Sequence, residues 1–176
     1  RHDFGRYTLA AGSVVDAPVL DSLTKPSWTR ADGSQLNAAS LADITGSTGA
    51  LASPAQVFSR GTLSSVDARL LISGGAVFGG ASDTEYNAGL LAHNAVVLSS
   101  DGAGSAVNLP SVQTINAGWN DGWGGVNRQQ IIAANGGTMD LSGVTHIISP
   151  WRGDDRLDII VNPDGATNPL IHLSGF

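Results

Sequence analysis

One pattern of twelve residues recurs along this 176-residue chain and limits the folds that it can adopt. Four segments align without gaps: GSVVDAPVLDSL from Gly12, GSQLNAASLADI from Gly33, GSAVNLPSVQTI from Gly104 and GGTMDLSGVTHI from Gly136. The first column of this alignment is always Gly, and the fifth is always Asp or Asn. The fourth, sixth, ninth and twelfth columns are apolar. Agreement of this kind, column by column, is the signature of a repeat architecture.

The spacing of the repeat indicates the architecture. Fainter copies around Pro54, Gly74 and Asn94 continue, in nearly equal steps, the series that Gly12 and Gly33 begin. One rung of a parallel β-helix has about the length of such a step, and its short strands stack on those of the next rung about 4.8 Å away. Alternation along a strand directs the fourth and sixth columns inward and the fifth outward. Gly in the first column suits a turn that needs a positive φ.

We therefore expect an all-β chain that forms a single right-handed parallel β-helix, or solenoid, of about seven rungs of roughly 21 residues with corner insertions. Residues 1–176 form one domain in this interpretation, excised from a larger protein. The alternative is an antiparallel β-sandwich, because regularly spaced turn signals also suit antiparallel sheets.

Composition excludes several classes of function. The formal net charge is −6 and Lys25 is the single lysine, so no basic surface is expected for nucleic acid or for an anionic membrane. No run of eighteen apolar residues is present, which argues against membrane insertion. Cysteine is absent, so neither disulfides nor thiolate chemistry are available.

The repeated motif resembles the rungs of right-handed β-helix modules in large bacterial surface and adhesin-type proteins. The segment LPSVQTI, residues 109–115, is also similar to rungs of receptor L-type β-helices. The resemblance implies a structural or adhesive module of a secreted or cell-surface protein, located outside the cell or on its surface. It brings with it no catalytic residue.

Two insertions interrupt the regular spacing. The step from Gly104 to Gly136 is about half as long again as the step from Gly12 to Gly33, and the excess lies in NAGWNDGWGGVNRQQ after Ile115. A second insertion, ISPWRGDDRL, follows Ile147, the equivalent position of the next rung. Both insertions are therefore expected at one corner of the solenoid. We name the surface that they would form the corner patch, and its residues are Trp119, Asp121, Trp123, Arg128, Trp151, Arg152, Asp154, Asp155 and Arg156.

The corner patch is a candidate binding site for a polysaccharide, a surface glycan or another protein surface. Indole faces stack on the apolar faces of sugar rings, and Asp, Asn and Arg bond with hydroxyl groups. Loops on a rigid scaffold are common sites of binding. The alternative is that the tryptophans cover the side of the solenoid and have no ligand.

Other chemistries are weaker candidates. Asp154, Asp155 and Asp158, or Asn162 with Asp164, could hold calcium, although turn formation explains these residues as well. The same carboxylates could serve a polysaccharide-degrading lyase or hydrolase, which is the alternative function. No catalytic residue and no metal ligand is assigned, and no cofactor other than calcium is considered. Arg152-Gly153-Asp154 spells the tripeptide that integrins recognise, but matches of three residues are common.

Two further expectations concern surfaces. In the fainter copies the outward fifth column becomes Phe58, Phe78 and Leu98, an apolar stripe that would be covered, for example by residues 81–87, or would contact a partner. The open terminal rungs of a solenoid could also stack end to end on a second copy of the chain.

Overall fold

The computed structural model describes residues 2–3, 6–24, 27–30, 35–38, 40, 48–51, 57–60, 66, 68–79, 82–88, 93–118, 125–150, 152–162 and 167–175. Every element of regular secondary structure in these ranges is a β-strand. Within the same ranges the structure has no helix long and apolar enough to cross a membrane. The strands of the first half are β1 (His2–Asp3), β2 (Arg6–Leu9), β3 (Val14–Asp16), β4 (Leu23–Thr24), β5 (Ser27–Arg30), β6 (Gln35–Ala38), β7 (Thr48–Leu51) and β8 (Val57–Arg60). Those of the second half are β9 (Arg69–Ser73), β10 (Val77–Gly79), β11 (Glu85–Asn87), β12 (Val96–Asp101), β13 (Ala106–Asn108), β14 (Thr114–Asn116), β15 (Arg128–Ala134), β16 (Thr138–Asp140), β17 (His146–Ile148), β18 (Arg156–Asn162) and β19 (Leu170–His172).

A seven-stranded sheet runs along the whole chain. Its strands lie in the order β18-β15-β12-β9-β7-β5-β2, which is chain order read backwards, and each neighbouring pair is parallel. A parallel neighbour cannot be reached through a hairpin, so the chain must cross back between each strand and the next.

The crossings themselves contain strands of smaller parallel sheets. After β9, β12 and β15 the chain passes through β10, β13 and β16 of a four-stranded sheet, and then through β11, β14 and β17 of a three-stranded sheet. In the first half, β3, β6 and β8 form another sheet, and β1 pairs with β4. The protein is therefore all-β, with parallel strands in stacked sheets, an arrangement compatible with a β-solenoid.

Strand register agrees with the sequence repeat. Val15 pairs with Leu36 and Val107 with Met139, which are the fourth-column residues of the aligned segments. Ile115 pairs with Ile147 in the twelfth column. Equivalent residues of the repeat are thus neighbours in space.

Among the side chains whose burial the structure describes, the core lies in the middle of the stack, and alternation along the strands produces it. In β9 and β15 every second side chain is buried, including Leu70, Ile72, Ile131 and Ala133. In the described apolar columns the buried residues of the middle rungs are Val107, Leu109, Val112, Ile115, Met139, Leu141 and Val144. Side chains of this kind contribute about 1.5–3 kcal/mol each when they are fully buried.

The glycines of the first column occur where the chain leaves the seven-stranded sheet. Gly12, Gly104 and Gly136 have φ values of 70°, 80° and 83°, the left-handed region that Gly adopts readily. Gly33 lies outside the described residues. Next to Gly136, a Cβ atom on Gly137 would lie 2.2 Å from the backbone oxygen of Ser100, so stacking of successive turns also requires glycine.

Rung length is not uniform, and the expectation of nearly equal steps is wrong for the later part of the chain. Leu9 pairs with Arg30, and the number of residues between them equals the number between Gly12 and Gly33. The pairs Leu70 with Leu98 and Met139 with Ile171 are further apart in the sequence. The added residues lie between strands, because connections between strands accept insertions at little cost.

The prediction of an outward apolar stripe is wrong for the described side chains. Phe78 is 1% exposed and pairs with Val107 of the inward fourth column, and Leu98 is 0% exposed in another sheet. The strand register makes Gly75, not Gly74, the equivalent of Gly104. The prediction is therefore out of register by one residue, and a shift of one residue moves every side chain to the other face of the strand. Phe58 pairs with Leu36, also of the fourth column. Residues 85–87, part of the segment expected to cover the stripe, form β11 instead, and Ala81 lies outside the described residues.

Candidate binding site

The described residues of the corner patch lie where two loops enter adjacent strands. Both loops leave neighbouring strands, β14 and β17, and lead into neighbouring strands, β15 and β18. Arg128 and Arg156 begin β15 and β18 and are register partners. Arg152, Asp154 and Asp155 lie in the second loop. The remaining residues of the patch, Trp119, Asp121, Trp123 and Trp151, lie outside the described residues.

Hydrogen bonds join the two loops to each other. The backbone N–H of Asn127 donates to Oδ1 of Asp155 at 2.7 Å, and the backbone N–H of Arg156 donates to the carbonyl of Asn127 at 2.9 Å. Nη1 of Arg152 donates to the carbonyl of Gly125 at 3.4 Å. The second loop is thus fixed against the end of the first.

A third connection takes part in the same polar cluster. Asn94, which has a positive φ of 49°, donates its backbone N–H to Oδ1 of Asn127 at 3.0 Å. In return, Oδ1 of Asn94 accepts the backbone N–H of Arg128 at 2.9 Å. Asn94, Asn127 and Asp155 therefore form a ladder of side chains across β12, β15 and β18. The twelve-residue repeat does not predict this ladder, and it does not determine whether Asn94 and Gly104 belong to one rung or two. They flank β12 and belong to one.

Opposite charges alternate on the surface beside this ladder. Nε and Nη2 of Arg152 each lie 3.1 Å from a carboxylate oxygen of Asp154, and Nε of Arg128 lies 3.5 Å from Oδ2 of Asp158. The side chains of Arg128 and Asp154 are both 48% exposed. Exposed pairs of this kind contribute little to stability.

The described carboxylates of the two inserted loops and of β18 face basic side chains or backbone donors. In the part of the chain that the structure describes, no three His, Cys, Asp or Glu side chains lie together as metal ligands. Asp154 and Asp158 face arginines, and Asp155 faces a backbone N–H. Asp164, of the second calcium candidate, lies outside the described residues.

A second surface feature is a groove of about 400 Å³ over the seven-stranded sheet. Arg69, Leu71, Ser99, Asp101 and Ile132 are among the residues that line it. Nε of Arg69 donates to the carbonyl of Val96 at 2.7 Å, which fixes the guanidinium group at one side of the groove.

Comparisons of the chain with protein-family models, with curated proteins and with solved structures found no match. The functional interpretation therefore depends on the geometry of the residues themselves.

Proposed function

We propose that this chain is a structural and adhesive β-solenoid module of a secreted or cell-surface protein, of the type found in large bacterial surface and adhesin-type proteins. Residues 1–176 form one right-handed parallel β-helix of seven rungs in this proposal, one rung for each strand of the seven-stranded sheet. We propose a right-handed helix because connections between parallel strands of one sheet are almost always right-handed. A stack of this kind is stiff, because each rung packs on the next.

The corner patch is the proposed contact with a glycan. The observation that supports it is the hydrogen bond between Asn127 and Asp155, which connects the two inserted loops at one place. Arg128, Arg152 and Asp154 present charged donors and acceptors beside that bond. In the chain, Trp151 directly precedes Arg152, and Trp123 lies just before Gly125, so indole groups are close in sequence to these anchors.

A glycan array tests the adhesive role. The wild-type chain is expected to bind a subset of polysaccharides. Trp119→Ala and Trp123→Ala are each expected to weaken that binding about fivefold or more, since a stacked ring contributes on the order of 1–2 kcal/mol. Arg152→Ala removes a charged donor of the same patch and should also weaken it. Val19→Ala, at a position that is 89% exposed in the first half of the chain, is the control and should bind like the wild type. Binding that survives the three patch variants would contradict the proposed site, and binding lost only in Arg69→Ala would place it in the groove instead.

The alternative function is a polysaccharide-degrading enzyme that uses the carboxylates Asp154, Asp155 and Asp158. Release of reducing or unsaturated products from uronate polysaccharides tests it. Turnover that disappears in Asp155→Asn would favour the enzyme over the adhesive module.

A further inference from the structure

The groove on the outer face of the seven-stranded sheet has a floor of regular composition. Leu71, Ser99 and Ile132 line it and are register partners on β9, β12 and β15, so they form one column across three strands. All three are partly exposed, as the outward positions of these strands require. The floor therefore offers two apolar side chains with a hydroxyl group between them.

An irregularity of β12 forms one side of the groove. The register of β12 with β15 shifts between Val96 and Leu98, so Val97 is the extra residue of a β-bulge. On the outer face, Nε of Arg69 donates to the carbonyl of Val96 at 2.7 Å. On the inner face, the buried hydroxyl of Tyr86 donates to the carbonyl of Val97 at 3.0 Å. The bulge is thus fixed from both faces, and bulges of this kind often direct a side chain at a functional site.

The guanidinium group of Arg69 faces the groove from this side. Its bond to the bulge uses Nε, and the remaining donors lie on Nη1 and Nη2, in the planar arrangement that matches a carboxylate. In the described part of the chain, no carboxylate lies within ion-pair distance of Arg69. The groove therefore has a fixed positive charge that no described acidic side chain neutralises.

Asp101 lies on the opposite side of the groove. It pairs with Ser73, the last residue of the strand that Arg69 begins, so the two charged residues are about 13 Å apart along the strand direction. Oδ1 of Asp101 accepts the side-chain amide of Asn135 at 2.7 Å. A carboxylate can accept several hydrogen bonds, so this contact leaves Asp101 able to accept more. The groove thus has a cation on one side, an acceptor on the other and an apolar floor between them.

These features favour one class of ligand. A peptide strand has no edge to extend here, because β12 is paired with β9 on one side and with β15 on the other. The carboxylate of a lipid would suit Arg69, but its chain would cover Ser99 and Asp101 without bonding to them. A sugar ring that carries a carboxylate has an anion, an apolar face and hydroxyl groups, and the groove complements all three.

We propose that the groove binds an acidic saccharide unit. Its carboxylate bonds to Nη1 and Nη2 of Arg69, its ring lies on Leu71 and Ile132, and its hydroxyl groups bond to Ser99 and Asp101. The proposal extends the proposed adhesive function to a second surface. It rests on that function only for the class of ligand, since none of these residues belongs to the corner patch.

Saccharide pairs that differ only in their carboxylates test the proposal. Isothermal titration of the whole chain compares cellobiouronate with cellobiose, and digalacturonate with digalactose. At least one acidic member is expected to bind about tenfold or more tightly than its neutral counterpart, because a hydrogen-bonded charged pair is lost in the neutral sugar. Equal affinities within both pairs, or no binding of either acidic member, would overturn the proposal.

Two variants locate this binding in the groove. Arg69→Gln keeps a donor for the carbonyl of Val96 but removes the charge, and it should abolish the preference for the acidic sugar. Ser99→Phe fills the floor from an outward position and should weaken binding at least about tenfold, with thermal unfolding as the check that the fold is kept. Val77→Phe adds the same ring at a 49% exposed position of another sheet and should bind like the wild type. Unchanged binding in both groove variants would contradict the site.

Titration of Arg152→Ala with the same saccharides separates the groove from the corner patch. Loss of the acidic preference in Arg69→Gln but not in Arg152→Ala is the expected result, and it supports the groove whatever the glycan array shows for the patch. Loss in Arg152→Ala but not in Arg69→Gln would overturn the groove and leave the corner patch standing.

Discussion

Asn127 and Asp155 connect the two inserted loops: the backbone N–H of Asn127 donates to Oδ1 of Asp155 at 2.7 Å. The residues belong to consecutive rungs and are 28 positions apart in the chain. The bond lies directly before the register pair Arg128 and Arg156, so it determines how the second loop lies on the first.

Removing this acceptor should destabilise the protein. Asp155→Ala is expected to lower the free energy of unfolding by about 1.5–3 kcal/mol, the usual range for a hydrogen bond to a charged group. Asp155→Asn keeps an oxygen acceptor and should lose less. Asp154→Ala is the neighbouring control, expected to cost less than about 1 kcal/mol because Asp154 is exposed and its ion pair with Arg152 lies at the surface. Urea unfolding measures all three, and equal losses in the two alanine variants would contradict the assigned role.

Burial in the twelfth column should decline toward the end of the stack. Ile115 is 0% exposed and its register partner Ile147 is 37% exposed. Ile115→Ala should therefore cost about 2–5 kcal/mol, and Ile147→Ala less than half of that. Chemical denaturation of the two variants measures the loss in the free energy of unfolding for the same change of side chain at both positions. A loss at Ile147 as large as the loss at Ile115 would contradict this decline in burial.

Close stacking of the backbone makes Gly137 sensitive to substitution. A Cβ atom there would lie 2.2 Å from the oxygen of Ser100 and 2.9 Å from the nitrogen of Asp101. Gly137→Ala should cost about 1–3 kcal/mol or more, since the neighbouring rung must move. At Gly153 no atom lies within 4 Å of the added Cβ, and Gly153→Ala should change stability by less than about 0.5 kcal/mol. Thermal unfolding that does not distinguish the two variants would be inconsistent with this stacking.

Stability should also depend on pH through Asp140. Hydrogen bonds from the hydroxyl group and the backbone N–H of Ser142 lower the pKa of Asp140, and the nearby His172 lowers it further, although partial burial opposes them. Because the folded pKa lies below the unfolded pKa of about 3.9, the carboxylate stabilises the fold above that pH and loses its effect as the pH falls through the folded value. The advantage of the wild type over Asp140→Asn should be constant above about pH 5 and shrink below about pH 4. An advantage that grows on acidification would contradict the direction of the shift.

The repeat predicts the core well because its apolar columns record which side chains face inward. Val107, Leu109, Val112 and Ile115 are buried, as their columns require. The fainter copies were less informative. Without the fifth-column Asp or Asn to mark the register, the pattern places Phe78 one residue out of register and therefore predicts the wrong face for it.

The polar ladder of Asn94, Asn127 and Asp155 could not be predicted from the spacing. The step from Asn94 to Asn127 is longer than the step from Asn127 to Asp155, because the loops before them differ in length. The three residues occupy equivalent positions only in the folded protein, where β12, β15 and β18 lie side by side. A polar residue shortly before each strand was the available signal, and turn formation explains such residues equally well.

The most direct test of the solenoid measures distances along the seven-stranded sheet with pairs of spin labels in a monomeric sample. Thr8, Ser99 and Ile160 lie in one outward column, on β2, β12 and β18. Pulsed electron resonance should give a distance for Thr8→Cys with Ile160→Cys that is about 10 Å longer than for Thr8→Cys with Ser99→Cys, because two strand spacings separate β12 from β18. Equal distances, or a shorter distance to residue 160, would contradict the stack of parallel rungs.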